Sequence, residues 1–417
     1  MIKRAGRTRL IGALTLAATL AVAAIAAGKF GTNGRVVTDL GGVNSADAVA
    51  VARDGRIVAA GHTTVDGTFD FAVVRYRKGG AIDDSFGTGG ARIDNLGGFE
   101  STAAALALPN RKILLAGNSD GGLADSQGTL VRYRQGGGLD SSFGGDGVTQ
   151  YVVVGGSTFS DVARQPDGKY VAVGEQAGQM LIVRFRAGGG LDSSFGNGTG
   201  AKLVQINDVT RASAVAVQPN GRIVIAGETQ PGGMTPTRHA AFVRLRPNGS
   251  FDNSFSKDGR RTVKLPLDFG GIGDAAVRRN KVYAAGFAGT ISGRHALLIR
   301  LGKKGGLDKS FAGNGRKLHK YGANVFLDAI AFQGRKLVAV GQRDDPIADF
   351  FVARFKGSGG KDRSFSKDGW NTTDVDGGDV AQGVAVQRDR RIVLAGTSGG
   401  TDGFILVRYR KNGALDK

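Results

Sequence analysis

Apolar residues along this chain come in short runs, and each run is closed by a glycine or an arginine. Seven runs end in Gly, at 57–61, 113–117, 170–174, 223–227, 282–286, 337–341 and 392–396. Each is followed by a second run ending in Arg75, Arg132, Arg184, Arg244, Arg300, Arg354 or Arg408. Beyond the N-terminal segment no stretch sustains apolar residues at i, i+3, i+4 and i+7, so the runs predict strands and almost no helix. Ala48-Val49-Ala50-Val51 and Ala214-Val215-Ala216-Val217 alternate small and β-branched residues with period two, as strands in crowded surroundings do. Asp54-Gly55, Asp167-Gly168 and Asn220-Gly221 lie between two such runs and predict tight hairpins. In the first unit the expected strands fall near 35–38, 48–52, 56–60 and 71–77.

The pattern repeats. Ile82-Asp83-Asp84-Ser85-Phe86-Gly87 returns as Leu139-Asp140-Ser141-Ser142-Phe143-Gly144 and as Leu191-Asp192-Ser193-Ser194-Phe195-Gly196, then around Phe255, Phe311 and Phe365. Seven units of about 56 residues fill the chain from Phe30 onward, a period that marks a repeat architecture. Phe30-Gly31-Thr32-Asn33-Gly34 supplies the second half of one motif and Leu415-Asp416-Lys417 the first half. Two halves at opposite ends are useful only if the ends meet. A linear solenoid would need distinct capping repeats, and none is present. The predicted fold is therefore all-β: a seven-bladed propeller of four-stranded blades, with residues 35–38 pairing to the strand that ends at Arg408.

Residues 1–9 carry four bases and no acid, and residues 10–27 are apolar or small apart from Thr15 and Thr19. With Ala24-Ile25-Ala26 as a small-residue site, residues 1–27 read as a cleaved signal peptide, leaving one domain over 28–417. The rival is an uncleaved anchor, since 18 residues approach the length of a span; the abundance of alanine favours cleavage. Either way the expected location is secreted or cell-surface. The absence of Cys excludes disulfides, thiolate metal sites and cysteine nucleophiles.

The order Leu-Asp-x-Ser-Phe-Gly-x-x-Gly, Ala-Val-Ala-Val, Asp-Gly-Arg-Ile-Val, Ala-Gly and Val-Arg-Tyr-Arg over residues 30–417 resembles the delta-60 repeat family of bacterial exported proteins. That resemblance implies a propeller-like repeat and no single chemistry. More distantly, the order is similar to extracellular propellers of the NHL and gluconolactonase type.

Asp83, Asp140, Asp192, Asp252, Asp308, Asp362 and Asp416 each follow the strand-ending Arg by eight residues. Calcium ligation would need more than one carboxylate per turn. A buried turn with the Asp paired to its Arg explains the sevenfold repetition better, and the motif Phe is expected to plug the space between blades. Function on a repeated scaffold belongs to positions that vary. The residue after each run-ending Gly is His62, Asn118, Glu175, Glu228, Phe287, Gln342 or Thr397, which by symmetry makes a ring at the channel mouth near Asp47 and Asp328. The resemblance to gluconolactonase-like propellers implies that such a ring could hold a divalent metal that polarises a carbonyl and activates water. Solvated loop residues are the alternative. The four histidines show no metal-ligand spacing, so no cofactor is expected unless a cation such as calcium sits at the mouth.

Charge is uneven. Residues 30–100 hold seven bases and nine acids, whereas residues 255–320 hold fifteen bases and four acids. Lys257, Arg260, Arg261, Lys264, Arg278, Arg279 and Lys281 are the candidate contacts for an anionic surface polymer. A mere solubility bias is the alternative. Aromatic residues do not interleave with the bases, so specific nucleic-acid binding is not expected. The reading is an exported, monomeric, non-catalytic interaction module, with a metal-dependent lactonase-like hydrolase or lyase as runner-up.

Overall fold

The computed structural model describes residues 30–65, 67–120, 125–231 and 238–417. The segment read as a signal peptide lies outside them. Among the described residues, no helix is long and apolar enough to cross a membrane, and a single 3-10 turn at Pro109–Arg111 is the one helical element.

Twenty-eight strands form seven four-stranded antiparallel sheets. In blade one, Asn44–Val51 is innermost, followed outward by Ile57–Val65, Thr68–Tyr76 and Ala91–Asp94. The innermost strands of successive blades touch one another all the way round, blade seven against blade one included, and so enclose a central channel. Six blades take their outer strand from the beginning of the next repeat. Blade seven, built from Asp379–Val386, Ile392–Ser398 and Phe404–Tyr409, takes Arg35–Thr38 from the other end of the chain, with Arg35 opposite Val407 and Thr38 opposite Phe404. The seven-bladed ring closed by its two terminal strands is thus present.

Apolar side chains of adjacent sheets interlock in seven clusters, one per seam. The motif phenylalanines Phe30, Phe86, Phe143, Phe195, Phe255, Phe311 and Phe365 are all buried there. Six of them crowd the glycine of the following blade's turn, while at Gly137 the Gly87 backbone does so in place of the Phe86 ring. At Gly80, where φ is +93°, an added Cβ would stand 2.6 Å from the Phe30 ring, so the close approach requires glycine.

The Asp54-Gly55 turn is a three-residue hairpin loop in which the Ala52 N–H donates to the Arg56 carbonyl and the Gly55 N–H to the Ala52 carbonyl. Blade five departs from this. Its hairpin shrinks to the two residues Arg279 and Asn280, both at positive φ, the signature of a type I′ turn. Blade six has a two-residue hairpin as well, at Gly334 and Arg335.

Candidate functional site

The repeated Arg and Asp form one staple per blade. Arg Nε lies 2.7–2.8 Å from Asp Oδ2 in all seven copies, from Arg75–Asp83 to Arg408–Asp416. The Ser two residues after the Asp donates to Oδ1 in blades one to six. Each guanidinium also packs 4.2–4.8 Å over the centroid of a motif Phe, with Arg408 over Phe30 across the chain ends. Its Nη1 donates to a turn carbonyl of the next blade: Arg75 to Gln135, Arg132 to Ala187, Arg184 to Pro247, Arg244 to Lys303, Arg300 to Gly357, Arg354 to Lys411 and Arg408 to Lys78. The guanidinium therefore ties its own turn to the neighbouring blade.

A second cation reaches every one of these carboxylates. Arg56, Lys112, Lys169, Arg222, Lys281, Lys336 and Arg391 lie 2.6–3.0 Å from Oδ2 of the same Asp. The sequence carries the signal, a base just before or at the first residue of the second strand of every blade, masked by the alternation of Arg and Lys there. Burial raises the carboxyl pKa, but the Ser hydroxyl and paired cations outweigh it and hold Asp83, Asp192 and Asp362 down at about 2.

The candidate mouth ring is engaged mostly in pairs. His62 Nδ1 meets Asp47 Oδ2 at 3.0 Å. Asn118 accepts the Phe159 N–H of the next blade at 2.7 Å. Glu175 pairs with Arg211 at 2.5 Å and Glu228 with Arg238 at 2.6 Å. Gln342 donates to Asp344 at 2.9 Å, and Phe287 stacks against Phe326. The structure brings His62 to Asp47 and gives Asn118, Glu175, Glu228, Phe287 and Gln342 each a partner of its own.

Deeper in the channel lies a feature hidden from the sequence. Every innermost strand bulges, leaving Asp47, Ala103, Ser160, Ser213, Gly273, Asp328 or Gln382 unpaired. The residue after the bulge is Asp161 in blade three and Asp274 in blade five. Asp161 Oδ2 accepts the Val215 N–H and Asp274 Oδ2 the Ile330 N–H, at 2.7 and 2.8 Å, so each links its strand to the next blade. Burial, and then the charge of Asp274, push Asp161 up to about 8 against its hydrogen bonds. Burial alone pushes Asp328 up to about 6, and Asp274 reaches about 6 despite its two backbone donors.

These two sets of carboxylates bound a pH window. The staple carboxylates, depressed when folded, stabilise fully above about pH 4, and this is lost as pH falls through about 2. The channel carboxylates, raised when folded, stabilise below about pH 4, and this is lost as pH rises through about 6 to 8. Urea unfolding free energy should fall between pH 5 and 8.5, and Asp328→Asn should reduce that fall by on the order of 2 kcal/mol. A variant whose pH profile superimposes on the parent's would show that Asp328 is not perturbed.

The candidate basic sector divides. Lys281 is the second cation of the Asp308 staple. Arg260 lies 4.3 Å over the Phe251 ring and Arg278 5.1 Å over Phe332. Arg261 is half-buried, while Lys257, Lys264 and Arg279 are exposed, Arg279 at the tip of the shortened hairpin. Of the seven, all except Lys281 form no ion pair among the described residues.

One carboxylate cluster at the seam of blades six and seven lies outside every sequence expectation. Asp349 stands on the third strand of blade six, Asp374 just after its outer strand, and Asp379 at the start of blade seven. One oxygen from each lies within 4.8 Å of the others. Asp349 and Asp379 are thirty residues apart in sequence and meet only because blades pack side by side.

The fold and its staples define a β-propeller repeat protein. In keeping with this, the profile of a family described as "Domain of unknown function (DUF5122) beta-propeller" matches residues 52–86, 165–195, 218–255 and 387–417. No curated protein matches the chain in sequence. Among solved structures, the chain is similar to YCF48 bound to D1 peptide at 8% identity, covering 91% of this chain and 95% of that one with a TM-score of 0.48. It is similar to Sqt1 of Chaetomium thermophilum at 13% identity, 89% and 96% coverage and a TM-score of 0.49. The phage phi92 endosialidase gives 10% identity, 91% and 70% coverage and a TM-score of 0.45. Likenesses this distant say nothing about ligand or reaction, and the blade count rests on the strand pairing itself.

Proposed function

We propose that this protein is an exported, non-catalytic propeller of the delta-60 kind that docks an anionic extracellular polymer on exposed bases of blades four and five. One observation carries the reading: Lys257, Lys264 and Arg279 are exposed and form no ion pair among the described residues, in a region with fifteen bases and four acids. Two of those four acids are withdrawn from the surface field, Asp308 into its staple and Asp274 into the channel. The backbone assembles part of the patch, since the Ser256 N–H donates to the Lys304 carbonyl across the seam and sets Lys257 beside Lys303 and Lys304. A hydrolase or lyase would need ring residues free to converge on a metal, whereas Glu175 and Glu228 are paired with arginines.

Binding of the protein to an array of teichoic acid, lipopolysaccharide and acidic polysaccharides should be strong at low salt and weaken steeply as salt is added. Reversing Lys257, Lys264 and Arg279 to Glu should lower affinity about tenfold or more, with stability changed by only about 0.5 kcal/mol per site. The control reverses the exposed Arg53, Arg77 and Lys78 of blade one, of which Arg77 and Lys78 pair at the surface with Asp84 and Asp389; Arg56 is unsuitable because it belongs to the Asp83 staple. Equal losses in both variants would assign the attraction to overall charge and overturn the sector.

A further inference from the structure

The loops of this ring fall on two faces, and the two faces differ in kind. Antiparallel order puts the loops between first and second strands, and between third and fourth, on one side. The loops between second and third strands, and those leading to the next blade, lie on the other. On the first side the described loop residues hold 27 bases and 14 acids, half of those acids being the staple carboxylates. On the second side they hold two bases and nine acids. One of the two bases, Arg238, is spent on Glu228.

Exposed apolar side chains segregate in the same way. Of eleven large ones among the described residues, eight sit in or beside the loops of the acidic face, and only Leu191 lies in a loop of the basic one. Some of the eight touch. The Phe69 and Phe99 rings are 6.3 Å apart between centroids, and His62 meets Phe69 edge-on at 4.9 Å. Phe99 is 57% exposed, and Val43, which likewise precedes the first strand of its blade, is 55% exposed. From the hairpin at 345–347 round to the loop at 95–99, the described loop residues of this face carry Asp345, Asp374, Asp376, Asp402 and Asp39 and no base. Arg343 offsets Asp345 from its strand end. Grouped apolar side chains within a polar rim mark an interaction surface.

We propose that this face docks a polypeptide segment bearing both basic and apolar side chains, anchored on Phe69, Phe99 and Val43 and flanked by the acids of blades six, seven and one. Other occupants match only half of the surface. An anionic bilayer or wall polymer would meet the acids with like charge. A second copy would bring its basic face, but with only Leu191 to set against the apolar groups. The protein's own positive charge does not stand in the way. Second strands of seven to ten residues hold the two faces roughly 25 Å apart, about three Debye lengths at physiological salt. Each face therefore presents its own charge to what approaches it.

The test is a fluorescein-labelled amphipathic peptide of lysine and leucine, titrated with the full-length protein and read by anisotropy. On a protein of formal charge +20, a cationic peptide is drawn to this face alone. Saturable binding of one peptide per protein is expected, and a lysine–serine peptide of equal charge should bind about tenfold more weakly or worse. Phe99→Ser and Val43→Ser change exposed positions, so each should melt almost as the parent does yet weaken binding about tenfold. Asp374→Asn with Asp402→Asn should flatten the salt dependence. Reversing Lys257, Lys264 and Arg279 should not weaken the peptide, which separates this face from the polymer contacts. A parent that binds neither peptide, or both alike, would overturn the proposal, as would parental affinity in Phe99→Ser. Sedimentation showing the parent self-associated and Phe99→Ser monomeric would assign the face to a second copy and overturn it too.

Discussion

Deletion of residues 30–40 should unfasten the ring. It removes the outer strand of blade seven and exposes the pairing edge of Phe404–Val407. It also strips Phe30 from beneath the Arg408 guanidinium, where the ring centroid sits 4.2 Å away. Loss of a buried Phe side chain alone costs about 3–5 kcal/mol, and an exposed strand edge invites pairing with another chain. The expected product melts well below the parent and elutes as aggregates in light-scattering chromatography. The narrower variant Phe30→Ala keeps the strand and should lose stability while remaining dispersed. If the deleted protein melted and eluted as the parent does, closure by the terminal strands would contribute nothing.

Arg184→Ala should destabilise the fold by about 3–5 kcal/mol, the range for removing one member of a buried ion pair. The side chains of Arg184 and Asp192 are 4% and 6% exposed. The substitution also takes a donor from Ser194 and from the Pro247 carbonyl of the next blade, and uncovers Phe195. Lys169 remains 3.0 Å from Asp192 and softens the loss, so Lys169→Ala combined with Arg184→Ala should cost more than the sum of the two single changes. Asp84→Ala is the control, because its pair with Arg77 spans 3.7 Å at the surface and such pairs contribute within about 1 kcal/mol. Chemical unfolding midpoints decide the matter. A double variant that is merely additive would show that the two cations do not substitute for one another.

Most of the fold was legible because a repeated unit reports its own constraints. The Asp–Arg spacing of eight residues, the buried Phe and the split motif at Phe30 and Asp416 each predicted a contact that is present. What escaped had no local trace. The bulge that turns Asp161 and Asp274 into links between blades is one extra residue in a strand of ordinary composition. The partners of Glu175 and Glu228, Arg211 and Arg238, lie on other strands or loops, so nothing beside either Glu in the sequence shows that its charge is spent. Asp349 and Asp379 read as unremarkable polar residues until two blades meet.

The staples also carry an accounting of how the ring can close. Six arginines reach a turn carbonyl 55 to 63 residues further on, but Arg408 must find Lys78 across 330 residues. Loop-closure entropy grows only with the logarithm of the span, so the long joint is less favourable than a short one by about 1.5 kcal/mol. That deficit is smaller than the worth of the buried Phe30 or of a single staple. A propeller of this design therefore gives up little by leaving its last joint to the two ends of the chain. The cost falls on time instead: contacts so distant in sequence form slowly, and until they do, blade seven waits with an unpaired edge.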